Sequence, residues 1–341
     1  MKNKLKHAII GCGRIAQNHF NAATKNDFEV SICCDLDIEK AKEFAKKNNI
    51  KNYTNDYLEI LKCEEIDCVS ICTDHKSHVE IGMDFLNKKH IIIEKPMSTN
   101  YKLAKEFYNK AKNSKKIISV IAQHRFDNVV SLIKKMVTDN AFGNITLVNA
   151  ELICYRNKSY YCDSYWRGTL EKEGGSTIIN QSFHIVDTLS YIFGKPKKVY
   201  SFCKNLSFKN IIETEDTCVS IMDYDDFLCT LSSTNTSVQE WSTKIKIVGS
   251  EGDVTFNIDF PEEIIELNIS QKLKEKYKKE LDEIKENYKM NLSSPANYYG
   301  LSHIKQFDDF KQSIFNFKKI KVSVKESIET QEIIEMIYNR K

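Results

Sequence analysis

Proline and glycine are scarce in this chain of 341 residues, at four and eleven respectively. With so few of either, and no low-complexity stretch or internal repeat, the sequence offers no floppy connector between domains. Long apolar runs are missing too. None approaches the roughly 18 residues of a membrane span, so no membrane partner is expected. The start, Met1-Lys2-Asn3-Lys4, is basic, but the apolar stretch after it is short and ends at Arg14, so no signal peptide is predicted. Excess charge of one sign is absent: 50 Lys and Arg against 47 Asp and Glu leave +3, which argues against a dedicated nucleic-acid binder. Arginine itself is rare. Only Arg14, Arg125, Arg156, Arg167 and Arg340 occur, and each matters because a guanidinium is the bidentate binder of phosphate and carboxylate. The eleven cysteines, an odd number, form no C-x-x-C pair and no zinc-like set. They read as small buried thiols in a reducing cytoplasm, with no metal.

At about 150 residues per domain, the length predicts two domains. Hydrophobic residues at 41% against 28% charged suffice for a real core. Over the first 125 residues, short apolar runs at 8–10, 30–34, 68–72, 91–93 and 117–120 alternate with helical patterns. Continuous apolar runs mark strands covered on both faces, hence a parallel, doubly wound sheet. After Arg125 a helix at about 127–139 leads to segments of period two at 145–155, 197–203, 217–224, 227–235 and 243–248, which predict an antiparallel sheet. A helix over about 177–193 interrupts them. Another over 271–290 carries Leu273, Tyr277, Leu281, Ile284 and Tyr288 as one narrow apolar stripe, suited to packing on its own domain or to an oligomer contact.

The first strand is followed by Gly11-Cys12-Gly13-Arg14-Ile15-Ala16, a G-x-G-x-x-A. Such a turn lets a pyrophosphate reach the backbone and the helix N-terminus. Asp35 ends the second strand, 24 positions after Gly11. An acidic residue there accepts hydrogen bonds from the adenosine ribose and repels a 2′-phosphate, so NAD is favoured over NADP. Glu94-Lys95-Pro96 follows the run 91–93, at the carboxyl end of a parallel strand where ligands bind in open α/β sheets. Lys95 there can fix a substrate hydroxyl; without context, a lysine before proline is a solvated loop residue. Gly174-Gly175 precedes the helix that bears Asn180, His184 and Asp187, spaced to share one face. His184 reads either as the base that removes an alcohol proton or as a hydrogen-bonded core histidine. Asp187 reads as a structural or His-orienting partner. His78 opens a helix after another strand, either touching the cofactor or merely sitting near the helix start. Tyr160-Tyr161 and Trp166-Arg167-Gly168 crowd the stretch before Gly174. An aromatic followed by Arg suits a sugar nucleotide or the cofactor, and equally a core Trp with a surface Arg.

Together these motifs resemble the Gfo/Idh/MocA family, which includes glucose–fructose oxidoreductase and inositol dehydrogenase. The resemblance rests on Gly11, Gly13 and Ala16, on Asp35, on Thr73 to His78, on Glu94-Lys95-Pro96 and on Gly174-Gly175 with the His184 helix. It runs over essentially the whole chain. It implies a fold of α/β plus α+β type: a doubly wound Rossmann domain at 1–124, and at 125–321 a substrate-binding domain with an open, mostly antiparallel sheet. That sheet would make a homodimer or homotetramer, and helices at about 322–341 would pack back on the first domain. It also implies that Lys95 and His184 are catalytic. The implied cofactor contacts are Gly11, Gly13, Arg14, Ile15, Asp35, Thr73, His78, Glu94 and Lys95. Where many members carry Asp four residues before the histidine, this chain has Asn180, and Asp74-His75 replaces the usual Pro-Asn before His78. The string from Arg156 to His184 is similar to one subgroup, which oxidises the 3-hydroxyl of UDP-N-acetyl-glucosaminuronate or related UDP-sugars. On that likeness Arg156, Tyr161, Trp166, Arg167, Asn180, Tyr299 and His303 are the substrate contacts. The expected activity is thus NAD-dependent oxidation of a ring hydroxyl of a UDP-linked sugar. Alternatives are a dehydrogenase of a free polyol or monosaccharide, and a non-catalytic NAD sensor.

Overall fold

A computed structural model describes residues 4–258, 262–292 and 301–339. Two compact units are present. The first takes in the described residues up to Gln123 together with 301–328, the second those from His124 to Leu292 together with 329–339.

In the first unit six parallel strands, β1 (Lys6–Ile10), β2 (Glu29–Cys34), β3 (Asn52–Thr54), β4 (Cys68–Ile71), β5 (His90–Ile93) and β6 (Ile118–Val120), lie in the order β3-β2-β1-β4-β5-β6. The order reverses between β1 and β4, which opens a crevice at the carboxyl ends of those strands. The crossovers are α1 (Ala16–Lys25), α2 (Ile38–Asn48), α3 (Tyr57–Lys62), α4 (His75–Phe85) and α5 (Tyr101–Ala111). Short polar side chains start most of them: Asp37, Asp56, Asp74 and Asn100 each accept a backbone N–H of the first turn. All four residues of β4, and Ile91, Ile92 and Ile93 of β5, are buried, as their continuous apolar runs predict. β3 escapes the sequence pattern because it is three residues long, two of them exposed.

The second unit contains α6 (Asn128–Thr138), β7 (Ile145–Tyr155), α7 (Lys158–Cys162), α8 (Phe183–Phe193), β8 (Lys198–Lys204), β9 (Thr217–Asp223), β10 (Leu228–Thr234), β11 (Thr236–Gly249), β12 (Gly252–Asn257), β13 (Glu263–Asn268), α9 (Gln271–Lys276) and α10 (Lys278–Leu292). Its seven strands lie in the order β13-β12-β11-β7-β10-β9-β8, antiparallel throughout except for the β7–β10 pair. Burial alternates along β7, β9 and β10, so one face packs in the core with α6 and α8 and the other stays open. The helix expected over 271–290 breaks at Tyr277, which is fully buried and donates a hydrogen bond to Asp139 at 2.9 Å. With Ile284 it packs into the core of its own unit. The cysteines depart from the all-thiol expectation. Cys203 and Cys218 stand directly opposite on β8 and β9 and form a disulfide, because that register sets their side chains side by side. The other nine form no disulfide among the described residues.

The last elements are α11 (Leu301–Asn316) and α12 (Val324–Tyr338). α11 is fixed to the first unit by Gln306, which accepts from Ala122 N and donates to Val120 O, and by Asn26, which donates to Ile304 O. The division expected at residue 321 therefore shifts. Residues 301–328 belong to the first unit and 329–339 to the second, so only the start of α12 joins the Rossmann domain. The reason is chemical: α11 carries His303, Gln306, Phe307 and Phe310, all buried in the first unit, whereas Ile333, Ile334 and Ile337 enter the second core. No helix among the described residues is long and apolar enough to cross a membrane.

Candidate active site

The candidate nucleotide site of the first unit is built by the turn after β1. Gly11 adopts φ +90°, and a Cβ there would lie 2.6 Å from the Cys72 carbonyl oxygen, so only glycine fits between β1 and β4. Gly13 is different. It is exposed, and a Cβ would meet nothing within 4 Å. Packing among the described residues does not demand a glycine there, and the backbone stays open to a ligand. Arg14 is exposed and Ile15 half-buried at the head of α1, whose first turn has no side-chain cap. Asp35 sits beside this turn: one carboxylate oxygen accepts from Cys12 N at 2.9 Å and the other from Asp37 N at 3.0 Å. The buried Thr73 hydroxyl finds no partner among the described residues. An open glycine cradle, an uncapped helix head, a carboxylate and an orphaned hydroxyl fit a dinucleotide.

Lys95 follows β5 and is half-buried, joined to Pro96 by a cis peptide. Its N–H donates to Glu94 Oε2 at 2.9 Å. His78 is buried with both ring nitrogens facing main-chain carbonyls, Nδ1 2.8 Å from Pro96 O and Nε2 3.1 Å from Thr73 O. His78, expected as a cofactor contact, thus turns both nitrogens to main chain, and the neutral ring donates to one of the two carbonyls. Glu94, expected as a cofactor contact, is likewise used up inside the protein. Its Oε1 accepts from His19 at 3.0 Å and from His303 at 3.4 Å. Burial alone would raise this carboxyl, but the two imidazoles hold it well below the usual range. His303, expected against the substrate, is only 1% exposed and belongs to this internal cluster. Asp74, where relatives carry Pro-Asn, caps α4 by accepting from Ser77 N at 3.3 Å.

The second unit carries its own group of candidate residues. The helix expected over 177–193 starts as a wide turn with i to i+5 hydrogen bonds, Ser182 N to Thr177 O at 2.8 Å, before α8 begins at Phe183. The buried Glu215 carboxylate holds that turn by accepting from Ile178 N at 2.9 Å and from the Tyr338 hydroxyl at 2.7 Å. The wide turn breaks the shared face. Asn180 donates to Glu173 at 2.6 Å, while Asp187 receives Arg125 bidentately at 2.9 and 2.7 Å and Thr330 at 2.8 Å. Asp187 is thus the buried partner of Arg125. His184 is 6% exposed and lies edge-to-face on His124, ring centroids 4.6 Å apart. His124 Nδ1 is bonded to Asp127.

Before this turn, two guanidiniums flank one ring. Arg156 and Arg167 lie 4.9 and 4.3 Å from the Tyr160 centroid. Arg156 also lies 5.2 Å from the Trp241 ring and donates to Gln181 at 2.8 Å; Arg167 stacks on the half-buried Trp166 at 5.0 Å. The buried Nε atoms of both arginines find no acceptor among the described residues. Tyr160, not Tyr161, borders them. Tyr161 is buried, its hydroxyl 3.0 Å from Ser176 Oγ. Tyr299 lies outside the described residues. His124 and Trp241 carried no motif in the sequence, and only their neighbourhood in space marks them.

Residues 5–122 match the NAD-binding Rossmann domain of the Gfo/Idh/MocA oxidoreductases, and residues 134–341 their C-terminal α/β domain. The chain belongs to this family. It is therefore an oxidoreductase with an NAD-binding Rossmann fold. The Gfo/Idh/MocA chain is similar to D-glucoside 3-dehydrogenase of Escherichia coli K12, 25% identical over 65% of this chain and 62% of that protein. Two solved structures share its fold. The WlbA dehydrogenase from Bordetella pertussis, in complex with NADH and UDP-GlcNAcA, is 22% identical with a TM-score of 0.87 over 99% of this chain and 96% of that one. The WlbA dehydrogenase from Chromobacterium violaceum, with the same two ligands, is 25% identical with a TM-score of 0.86 over 99% and 94%.

Proposed function

We propose that this oxidoreductase removes hydride from a secondary hydroxyl of a sugar ring carried on a UDP nucleotide, with UDP-N-acetyl-glucosaminuronate or a related UDP-sugar as substrate. The observation that carries the reading is the pair of guanidiniums on Tyr160, each with a buried Nε that finds no acceptor among the described residues. Such a cationic, aromatic wall suits a pyrophosphate or carboxylate and has no use for a neutral polyol. The UDP-GlcNAcA bound by both WlbA dehydrogenases supports it.

Gly13, the head of α1 and Asp35 would hold the pyrophosphate and ribose of NAD, which would supply the hydride acceptor. Lys95 donates a hydrogen bond to the reacting oxygen and stabilises its negative charge as the proton leaves. His184 accepts that proton. Asn180 cannot act as a base, and Asp187 is committed to Arg125. The reading requires Lys95 and His184 to reach the same oxygen.

The test is turnover with NAD against a panel of UDP-sugars, free hexoses and inositol. Turnover of a UDP-sugar, with KM raised about tenfold or more in Arg167→Ala, supports the reading. Efficient use of a free polyol, unchanged in Arg167→Ala, replaces the substrate class. No NADH from any substrate favours a non-catalytic NAD sensor. We also infer a homo-oligomer through the open sheet face, where Tyr200 and Phe202 are 67% and 78% exposed beside Val219 and Ile221. Light scattering on the wild type and Phe202→Lys checks this, and a monomeric wild type overturns it.

A further inference from the structure

A polar chain runs through the apolar interior of the first unit. His7 Nε2 lies 2.8 Å from Ser70 Oγ, and Ser70 Oγ lies 2.9 Å from His19 Nδ1. His19 Nε2 then meets Glu94 Oε1, which His303 Nε2 also approaches. Every member is buried. One set of neutral tautomers satisfies it. His7 donates to Ser70, Ser70 to His19, and His19 and His303 each donate to Glu94. Burial pushes His7 down to about 3 and lowers His19, which keeps both rings neutral. The Glu94 carboxylate stands at the end of this chain.

A buried carboxylate is costly, and an apolar residue would extend the run Ile91–Ile93 more cheaply. The charge stands where it does one thing outside the chain of imidazoles: its second oxygen takes the Lys95 N–H. On the far side, Pro96 O is held by His78. The main chain at Lys95 is therefore fixed at both ends. Its upstream anchor is clamped from two helices, α1 leading away from the glycine turn and α11 from the end of the chain.

We propose that His19 and His303 are positioning residues of the hydride-transfer reaction. They clamp the Glu94 carboxylate, and Glu94 sets the main chain from which Lys95 reaches the substrate oxygen. The inference rests on the assignment of Lys95 to that oxygen. Neither histidine touches substrate in this account. Removing either clamp lets Lys95 drift without emptying the nucleotide cradle, and drift of about 1 Å in a reacting group costs on the order of a hundredfold.

The experiment compares His303→Leu, His303→Gln and Glu94→Gln with the wild type, measuring kcat with a UDP-sugar, NAD affinity by fluorescence titration and Tm. The expected result is kcat down about tenfold or more in His303→Leu and Glu94→Gln, NAD affinity within about twofold, and recovery to within about threefold in His303→Gln, which restores a donor. Glu94→Gln keeps the shape of the side chain, so the comparison survives should His303→Leu fail to fold. The inference is overturned if kcat stays near wild type in both, or if His303→Gln falls as far as His303→Leu with Tm and NAD affinity falling in step. Lys95→Ala separates the two levels. If it loses turnover while the clamp variants do not, the clamp alone is wrong; if it keeps turnover, the assignment of Lys95 falls and the clamp with it.

Discussion

Glu173 accepts a hydrogen bond from the Asn180 side-chain amide at 2.6 Å, and its other oxygen takes the Gly168 N–H. Burial pushes its carboxyl up to about 7 from an ordinary 4.5, only partly offset by those two donors. The folded chain therefore binds this proton more tightly than the unfolded chain. The sign follows: the contribution to stability is full below about pH 4.5 and is lost as pH rises through about 7. That separation is worth on the order of 3 kcal/mol. Glu173→Gln, uncharged at every pH, is expected to flatten the fall in stability across this window. Denaturant midpoints measured against pH check it, and parallel falls in the two proteins contradict it.

The two glycines of the dinucleotide turn are expected to respond differently. Gly11→Ala meets Cys72 and an unfavourable φ, so it costs about 1–3 kcal/mol of stability or more and weakens NAD binding. Gly13→Ala meets open space. Tm is expected to stay near wild type while NAD affinity falls about tenfold or more, because the added methyl occupies the place of the pyrophosphate. Melting curves with and without NAD separate the two effects.

On the proposed reading, Asp35 binds the ribose hydroxyls of NAD and repels a 2′-phosphate. Asp35→Ser is expected to weaken NAD about tenfold and to shrink the discrimination against NADP. Its carboxylate also holds Cys12 N, so a modest drop in Tm accompanies the change. Titration with both nucleotides measures it.

Much of this was legible in the chain itself, and the failures have physical causes. Strands β4 and β5 are continuous apolar runs and could be read directly. The Gly-rich turn could be read because the backbone at Gly11 demands glycine, and residues 5–122 match an NAD-binding Rossmann domain. The short edge strand β3 left no period to detect. The shared face of Asn180, His184 and Asp187 did not survive, because Glu215, 35 positions after Asn180, holds a wide turn that sequence spacing takes for regular helix. Long-range hydrogen bonds also drew Glu94 and His303 into the interior, where motif reasoning had assigned them to ligands.

Asp187 gives a compact check on the division of roles. Asp187→Asn leaves Arg125 buried with a neutral partner, and a loss of about 3–5 kcal/mol is expected. The pH–rate profile of the folded fraction is expected to keep its shape, since this carboxylate does not handle the substrate proton. A displaced acidic limb would make it a second base.

The central claim is that His184 receives the proton of the sugar hydroxyl as hydride leaves for NAD. The direct measurement is single-turnover NADH formation from a UDP-sugar by the wild type and by His184→Ala, with NAD affinity determined in parallel. The account predicts a rate lower by about a hundredfold or more in the variant, with NAD bound as tightly as before. A variant rate within a few-fold of wild type contradicts it.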